Sequence, residues 1–295
     1  MRCLITGGAG FIGSNLAKYL EEKKNYVVII DNFSTGHKNN IKNFKGKIIE
    51  YDISKKPDLK EKFDVIFHLA AITDPRYPND EELLKQNLDG FEWVLKKAKK
   101  DRSKLIYASS ASLYGNTKAP QEEDQPKEIL SAYAKSKLIM DEMASHHFSD
   151  MHIIGLRYFN VFGPGEEYKG RAASMIYHLT KMMKRGENPK IFKWGEQKRD
   201  HIYVKDCVLA NIKALEAKSG IYNVGTGIST SFNELVSLIN SALGTDLKPI
   251  YIDLPYEKKT YQANTQADTK RAKKFLRFQA KYKLIDAIKE YVKMI

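Results

Sequence analysis

The most constraining feature of the chain is its first fourteen residues. An apolar run, Arg2–Thr6, leads into Gly7-Gly8-Ala9-Gly10-Phe11-Ile12-Gly13-Ser14, and a helix-period segment follows. A strand, a tight glycine turn and a helix in that order predict the opening of a parallel βαβ unit. Gly7 permits the turn, Gly10 lets backbone approach a pyrophosphate, and Gly13 allows helix and sheet to pack closely. The free N–H groups and positive dipole end at the helix start, with Phe11 and Ile12 in its first turn, favour phosphate there.

The rest of the first half repeats the rhythm. Strands are predicted at Arg2–Thr6, Val27–Asp31, Lys47–Tyr51, Val65–Leu69, Lys104–Ala108 and Ile153–Arg157. They read as continuous apolar runs, as strands do when both faces of a parallel sheet are covered. Amphipathic helices are predicted between them at Phe11–Glu22, Glu81–Lys99 and Ala132–His147. The expected fold class is α/β, a Rossmann-type doubly wound parallel sheet. Past residue 160 the rhythm breaks into helical stretches (Ala172–Arg185, Lys205–Ala217, Phe232–Leu243, Ile285–Met294) mixed with short strands and turns. Residues 1–160 are therefore read as a dinucleotide-binding domain, and 161–295 mainly as a smaller substrate lobe. Chain near 200–210 is expected to return to the first domain.

With 295 residues and 42% hydrophobic content, the chain can bury such a core. Its formal charge of +13 would suit a polyanion partner, but the lysines are spread along the chain and several fall near helix ends, where they complement the dipole. No groove-reading motif accompanies them, so nucleic acid is not an expected partner. No run of about 18 apolar residues suggests a membrane span, and the chain opens straight into a strand without a signal peptide. The two cysteines, Cys3 and Cys207, one of them in a predicted core strand, suit a reducing, cytoplasmic setting. No metal site is expected.

Two further segments carry chemistry. The fifth strand runs into Ser109-Ser110-Ala111-Ser112-Leu113-Tyr114-Gly115, and a later helix opens with Tyr133-Ala134-Lys135-Ser136-Lys137. Tyr133 and Lys137 share a helical face. An ammonium and a nicotinamide cation nearby favour tyrosinate, which can take a hydroxyl proton while hydride leaves the same carbon. Around the cofactor, Asp31 follows the glycines by about 20 residues, where a carboxylate accepts from ribose hydroxyls and favours NAD. Asn32 adjoins it. Lys38 could meet a 2′-phosphate, which keeps NADP open. Asp52 and Ile53 would flank the adenine, and Leu69, Ala70 and Ala71 offer small surface against which the cofactor can lie. Asn87 could bond backbone near the cofactor or face solvent, and His68 reads as a packing residue.

Together, Gly7-x-x-Gly10-x-x-Gly13, Asp31-Asn32, His68-Leu69-Ala70-Ala71, Ser109-Ser110, Tyr133-x-x-x-Lys137 and Arg157-Tyr158-Phe159-Asn160 resemble the extended short-chain dehydrogenases/reductases over nearly the whole chain. The resemblance implies a Ser110, Tyr133, Lys137 catalytic set, a tightly held NAD or NADP, and a nucleotide sugar under the C-terminal lobe. Ser110 is preferred to Ser109 because it immediately precedes Ala111-x-x-Tyr114-Gly115. The blocks Tyr168-Lys169-Gly170, Ala173-Ser174, His178-Leu179, Lys198-Arg199-Asp200 and Thr260-Tyr261-Gln262-Ala263 resemble those of the ADP-L-glycero-D-manno-heptose 6-epimerases. By that resemblance Asn160, His178, Arg199 and Tyr261 contact substrate, Phe192 to Gly195 line the nucleotide pocket, and Lys169 is a second acid/base group. Arg171, the His68–Thr73 segment and a shortened stretch between Ile191 and Arg199 depart from that pattern. The alternative is a UDP-glucose or UDP-N-acetylglucosamine 4-epimerase. A 4,6-dehydratase is disfavoured by Ala111-Ser112, and a non-catalytic NAD(P)-sensing protein is a remote alternative. The resemblance also implies a homodimer through the Glu81–Lys99 and Ala132–His147 helices.

Overall fold

The computed structural model describes residues 1–74, 76–254 and 261–295. In chain order its first half comprises β1 (Arg2–Thr6), α1 (Phe11–Glu22), β2 (Tyr26–Asp31), β3 (Lys47–Glu50), β4 (Val65–His68), α2 (Asp80–Asp101), β5 (Lys104–Ser110), α3 (Ala132–Ser145) and β6 (Ile153–Tyr158). The second half adds β7 (Asn160–Phe162), α4 (Met175–Lys184), β8 (Lys190–Phe192), β9 (Lys198–Arg199), β10 (His201–Tyr203), α5 (Val204–Ala214), β11 (Gly220–Val224), β12 (Thr230–Ser231), α6 (Phe232–Leu243), β13 (Ile250–Ile252) and α7 (Leu284–Tyr291).

Val27 to Ile30 of β2 and Val65 to Phe67 of β4 are buried, so both sheet faces must be covered. They are. The seven-stranded sheet runs β11-β6-β5-β4-β1-β2-β3, and every pairing in it is parallel. Leu16, Ala17 and Leu20 of α1 pack with Val208, Ala210 and Ala214 of α5 over one face. Phe91 and Val94 of α2, with Met140 and Ala144 of α3, cover the other. The strand order steps outward both ways from β1 and β4, and ligands of such sheets bind at the strands' C-terminal ends near that switch.

Two features depart from the sequence reading. Continuous burial fails at β3, where Ile48 is 44% exposed, because an edge strand has a neighbour on one side only. The return of the chain to the first domain is also wider than residues 200–210. It takes in all of α5 and extends to β11, whose Gly220–Val224 pairs with Ile154–Tyr158. A separate core joins α4, α6 and α7 through Ile176, Leu179, Phe232, Leu235, Ile239 and Ile288. It reaches back to Phe11 at the head of α1, so the second lobe sits beside the glycine turn. No helix among the described residues is long and apolar enough to cross a membrane.

Candidate functional site

The glycine turn is pressed against its surroundings. Gly7 has φ +70°, and a Cβ there would lie 2.6 Å from the Ala70 nitrogen. A Cβ on Gly13 would lie 2.2 Å from the Gly7 carbonyl oxygen. Gly10 is the N-cap of α1 and supplies no side-chain cap, whereas Asn79, Ser131, Ser174 and Ser231 cap α2, α3, α4 and α6. The first N–H groups of α1, on Phe11, Ile12 and Gly13, are thus left for an anion. These features fit a dinucleotide pyrophosphate.

Asp31 closes β2. Its Oδ2 accepts from the Ala9 N–H at 2.9 Å and its Oδ1 from the Phe33 N–H at 2.8 Å. Burial pushes its carboxyl up, and those two N–H groups oppose the rise. Asn32 accepts from the Ser34 N–H and hydroxyl, and Asp52 does the same for Ser54. Ile53 packs towards Gly90. The Lys38 ammonium lies 5.4 Å over the Phe33 ring. Leu69, Ala70 and Ala71 are half-buried at the end of β4, where the Leu69 and Ala70 N–H groups donate to Thr6. His68 is buried, pairs with the Thr6 hydroxyl at 2.9 Å, and is pushed down to about 3 by burial and then by Lys137.

Asn87 is buried rather than solvent-facing. Its Oδ1 accepts from the Ile72 N–H, and its Nδ2 donates to the Ile72 carbonyl and the Ser136 hydroxyl. Of the two readings the sequence allowed, the solvent-facing one is excluded, and the amide bonds backbone in the loop after β4. It ties the loop after β4 to α3 beside Lys137.

The Ser110 hydroxyl lies near enough to the Tyr133 phenol to favour its ionised form. Ser109 is 2% exposed and turns away, donating to Asp141 Oδ2 at 3.0 Å. The Lys137 ammonium lies 5.8 Å from the Tyr133 ring centroid and donates to the Ala108 carbonyl at 2.8 Å. Burial pushes Lys137 down to about 8, with Asp141 opposing. The lowering expected for Tyr133 invokes a bound nicotinamide as well as the ammonium, and the protein's own groups act without that charge. Burial raises Tyr133, and the Ser110 hydroxyl only opposes it.

The second lobe supplies other groups. Lys169 stands on a short turn, Glu167–Ala172, with its ammonium 5.6 Å over the Phe11 ring. Burial lowers its pKa, while Glu166 and Asp74 oppose. Arg171 is exposed and lies 3.8 Å from Asp74. Phe192 meets Tyr261 edge-on at 5.8 Å, and the Arg199 guanidinium covers the Tyr261 ring at 4.9 Å. Arg199 is 8% exposed, and burial lowers its pKa, a setting that favours an anionic partner. Gly195 (φ +76°) turns the chain between them. His178 is half-buried on α4, edge-on to Tyr177, and Asn160 accepts from the Thr265 hydroxyl. Thr260 lies outside the described residues.

The structure therefore brings Ser110, Tyr133 and Lys137 together, and separately Phe192, Arg199 and Tyr261. Lys169 lies at the head of α1, its ammonium over the Phe11 ring. Several residues that hold these groups escaped the sequence reading. Asp200 accepts from the Thr226, Gly227 and Ala267 N–H groups. Glu166 accepts from the Gly163 and Ser174 N–H groups. Asp141 lies one helical turn past Lys137. The one signal for Asp200 and Asp141 was a carboxylate directly beside, or one turn from, a residue of interest.

Residues 3–225 match the family model described as NAD dependent epimerase/dehydratase. The chain is 35% identical over 289 residues to ADP-L-glycero-D-manno-heptose-6-epimerase of Brachyspira hyodysenteriae, covering 91% of this chain and 89% of that one. It is 37% identical over 276 residues to a putative UDP-glucose 4-epimerase of Methanocaldococcus jannaschii, with 88% of each covered. The crystal structure of Helicobacter pylori ADP-L-glycero-D-manno-heptose-6-epimerase superposes with a TM-score of 0.92 at 41% identity, over 99% of this chain and 95% of that one.

Proposed function

The chain belongs to the NAD-dependent epimerase/dehydratase family and works as a nucleotide-sugar epimerase, and on that premise we propose ADP-L-glycero-D-manno-heptose as its substrate and C6 as the carbon inverted. The observation that carries this reading is the 41% identity to the Helicobacter enzyme over 99% of the chain. The Methanocaldococcus relative, at 37% identity, favours a second reading, a UDP-hexose 4-epimerase.

In this reading Gly7, Gly10 and Gly13, with the first N–H groups of α1, hold the pyrophosphate. Asp31 and Asn32 take the adenosine ribose, Asp52 and Ile53 flank the adenine, and Leu69, Ala70 and Ala71 carry the rest of the cofactor. NAD is preferred to NADP because a buried carboxylate ends β2, and a 2′-phosphate would meet it as a like charge. When bound, the nicotinamide supplies reversible hydride acceptance, so the cycle needs no external oxidant.

Tyr133 takes the hydroxyl proton from the carbon undergoing oxidation, and Ser110 holds that hydroxyl in place. The protein alone keeps Tyr133 a phenol, so its activation would need, beside the Lys137 ammonium, the positive charge that a bound nicotinamide supplies. After the keto-sugar turns, Lys169 serves the opposite face as the second proton-transfer group. Arg199 takes diphosphate oxygens, Tyr261 and Phe192 flank the nucleotide with Gly195, and Asn160 and His178 reach the sugar. The working unit is a homodimer paired through α2 and α3. A cytoplasmic setting accords with the free, buried Cys3 and Cys207.

The test is incubation with ADP-heptose, UDP-glucose and UDP-N-acetylglucosamine, followed by proton NMR. Inversion at C6 of ADP-heptose alone is expected. Inversion at C4 of a UDP-hexose would discard the heptose assignment and Lys169's role, while leaving Ser110, Tyr133 and Lys137 in theirs.

A further inference from the structure

The carboxylate of Asp141 is 3% exposed and stands where three elements meet. It lies on α3 one turn beyond Lys137, on the same face. Its Oδ1 accepts from the Tyr107 hydroxyl at 2.8 Å, and its Oδ2 from the Ser109 hydroxyl at 3.0 Å and the Arg157 Nε at 2.9 Å. The Arg157 Nη2 is also 2.9 Å from Oδ2. Between these links the Lys137 ammonium donates to the Ala108 carbonyl. Tyr107, Ala108 and Ser109, which lead directly into Ser110, are thus each tied to α3. Arg157 continues the chain of contacts to the Tyr114 hydroxyl and the Glu123 carbonyl. The Tyr107 phenol can reach across β6 because residue 155 is glycine, where a Cβ would lie 2.5 Å from the hydroxyl.

We propose that Asp141 is a positioning residue that sets the register of α3 on β5 and supplies the counter-charge for Lys137. The proposal rests on the Ser110, Tyr133, Lys137 reading. Two cations, Lys137 and Arg157, are buried here. The other titratable neighbours are Tyr107 of β5, His68 of β4, held neutral, Tyr133 of α3 itself, Tyr114 and Glu123 beyond Arg157, and the Lys127 ammonium over the Tyr114 ring, which Asp141 and Arg157 also reach. Asp141 is the anion whose field reaches Lys137 and opposes the effect of burial on it. Two buried cations would repel each other without it, and the lysine, which can lose its proton, would yield before the arginine.

The experiment compares Asp141→Asn, Asp141→Glu, Ser109→Ala and Tyr133→Phe in the holoenzyme. Turnover is measured across pH, and the Lys137 titration is read by NMR of ¹³Cε-labelled lysine. Asp141→Asn is expected to lower kcat by about 10- to 100-fold with KM within about twofold. The Lys137 midpoint and the alkaline limb of kcat should both move down by about one pH unit. Asp141→Glu should restore the midpoint and part of the turnover. If Asp141→Asn does not fold, Ser109→Ala tests the register alone, since it keeps the charge. It should lower kcat several-fold and leave the Lys137 midpoint in place.

An unmoved Lys137 midpoint in Asp141→Asn, or full turnover in Ser109→Ala, would overturn the positioning role while a dead Tyr133→Phe left the catalytic set standing. Full turnover in Tyr133→Phe would instead remove the catalytic set, and the role of Asp141 with it.

Discussion

The two halves of the site are assembled from different kinds of chain, although buried carboxylates tie both, Asp141 joining α3 to β5 in the first. In the first, the groups come from the ends of neighbouring strands and the first turns of helices. Glycines there let backbone meet backbone, as where Gly13 leaves no room for a Cβ beside the Gly7 carbonyl. In the second, the groups come from loops distant in sequence, and buried carboxylates pin them. Asp200 joins the β9–β10 junction to Thr226, Gly227 and Ala267. Glu166 closes the Lys169 loop through Gly163 and Ser174. Asp206 accepts from the Lys281 and Tyr282 N–H groups. A cofactor shared across a family can rest on fixed secondary-structure ends, whereas a substrate face built from pinned loops can change its sugar without disturbing the sheet.

That contrast can be broken by substitution. The largest effect is expected for Tyr133→Phe, which should cost about 10²- to 10⁴-fold in kcat while cofactor binding and denaturant midpoint stay near those of the parent. Retained turnover would mean that proton transfer does not belong to the first half. Gly13→Ala comes next. Its new methyl meets a carbonyl that cannot yield, so cofactor affinity, titrated by calorimetry, should fall by on the order of 10-fold or more through a strain of about 1–3 kcal/mol.

Asp200→Asn should do the reverse, sparing cofactor affinity. The substrate KM should rise and stability to urea should drop by about 1–3 kcal/mol, because an amide cannot accept from all the N–H groups now aimed at the carboxylate. If cofactor affinity fell as far as in Gly13→Ala, the two halves would not be separable.

A smaller test compares one histidine from each half. His68 and His201 are both buried and both pushed from 6.5 down to about 3, by desolvation first. Their folded pKa lies below the unfolded one, so the unfolded chain binds more protons between those values. Stability is therefore expected to be intact above about pH 6.5 and to be lost as pH falls below it, by on the order of 1 kcal/mol per unit per histidine. Neither ring nitrogen of His201 has a hydrogen-bond partner among the described residues, so His201→Phe should flatten the acid decline of the urea midpoint at little cost at pH 8. An unchanged slope would show that His201 is not buried neutral.

The same division governs what could be read from the sequence. Phe11–Glu22 and Phe232–Leu243 were predicted with the bounds that the structure has, because apolar periodicity and cap chemistry are local signals. The glycine turn, Asp31 and the Tyr133/Lys137 pair were legible for the same reason. Each is a short spacing whose geometry follows from one strand end or one helical turn. The sequence leaves Asn87 open between a backbone bond and solvent because the direction of a side chain on α2 depends on where Ile72 and Ser136 arrive. The carboxylates at Asp141 and Asp200 were missed because their partners lie far along the chain, and Glu166, whose partners Gly163 and Ser174 are near in sequence, because no local pattern distinguishes a pinning carboxylate from a solvated one. β3 looked like an inner strand because its apolar run says nothing of which strand ends the sheet.

In a redox-neutral cycle the oxidised sugar is reduced again on the same enzyme. Following 340 nm absorbance and product together, with substrate in large excess over bound cofactor, distinguishes such a cycle from net oxidation. Many turnovers of epimer are expected with no accumulating absorbance. Release of one reduced nicotinamide per product formed would contradict it and identify a net dehydrogenase.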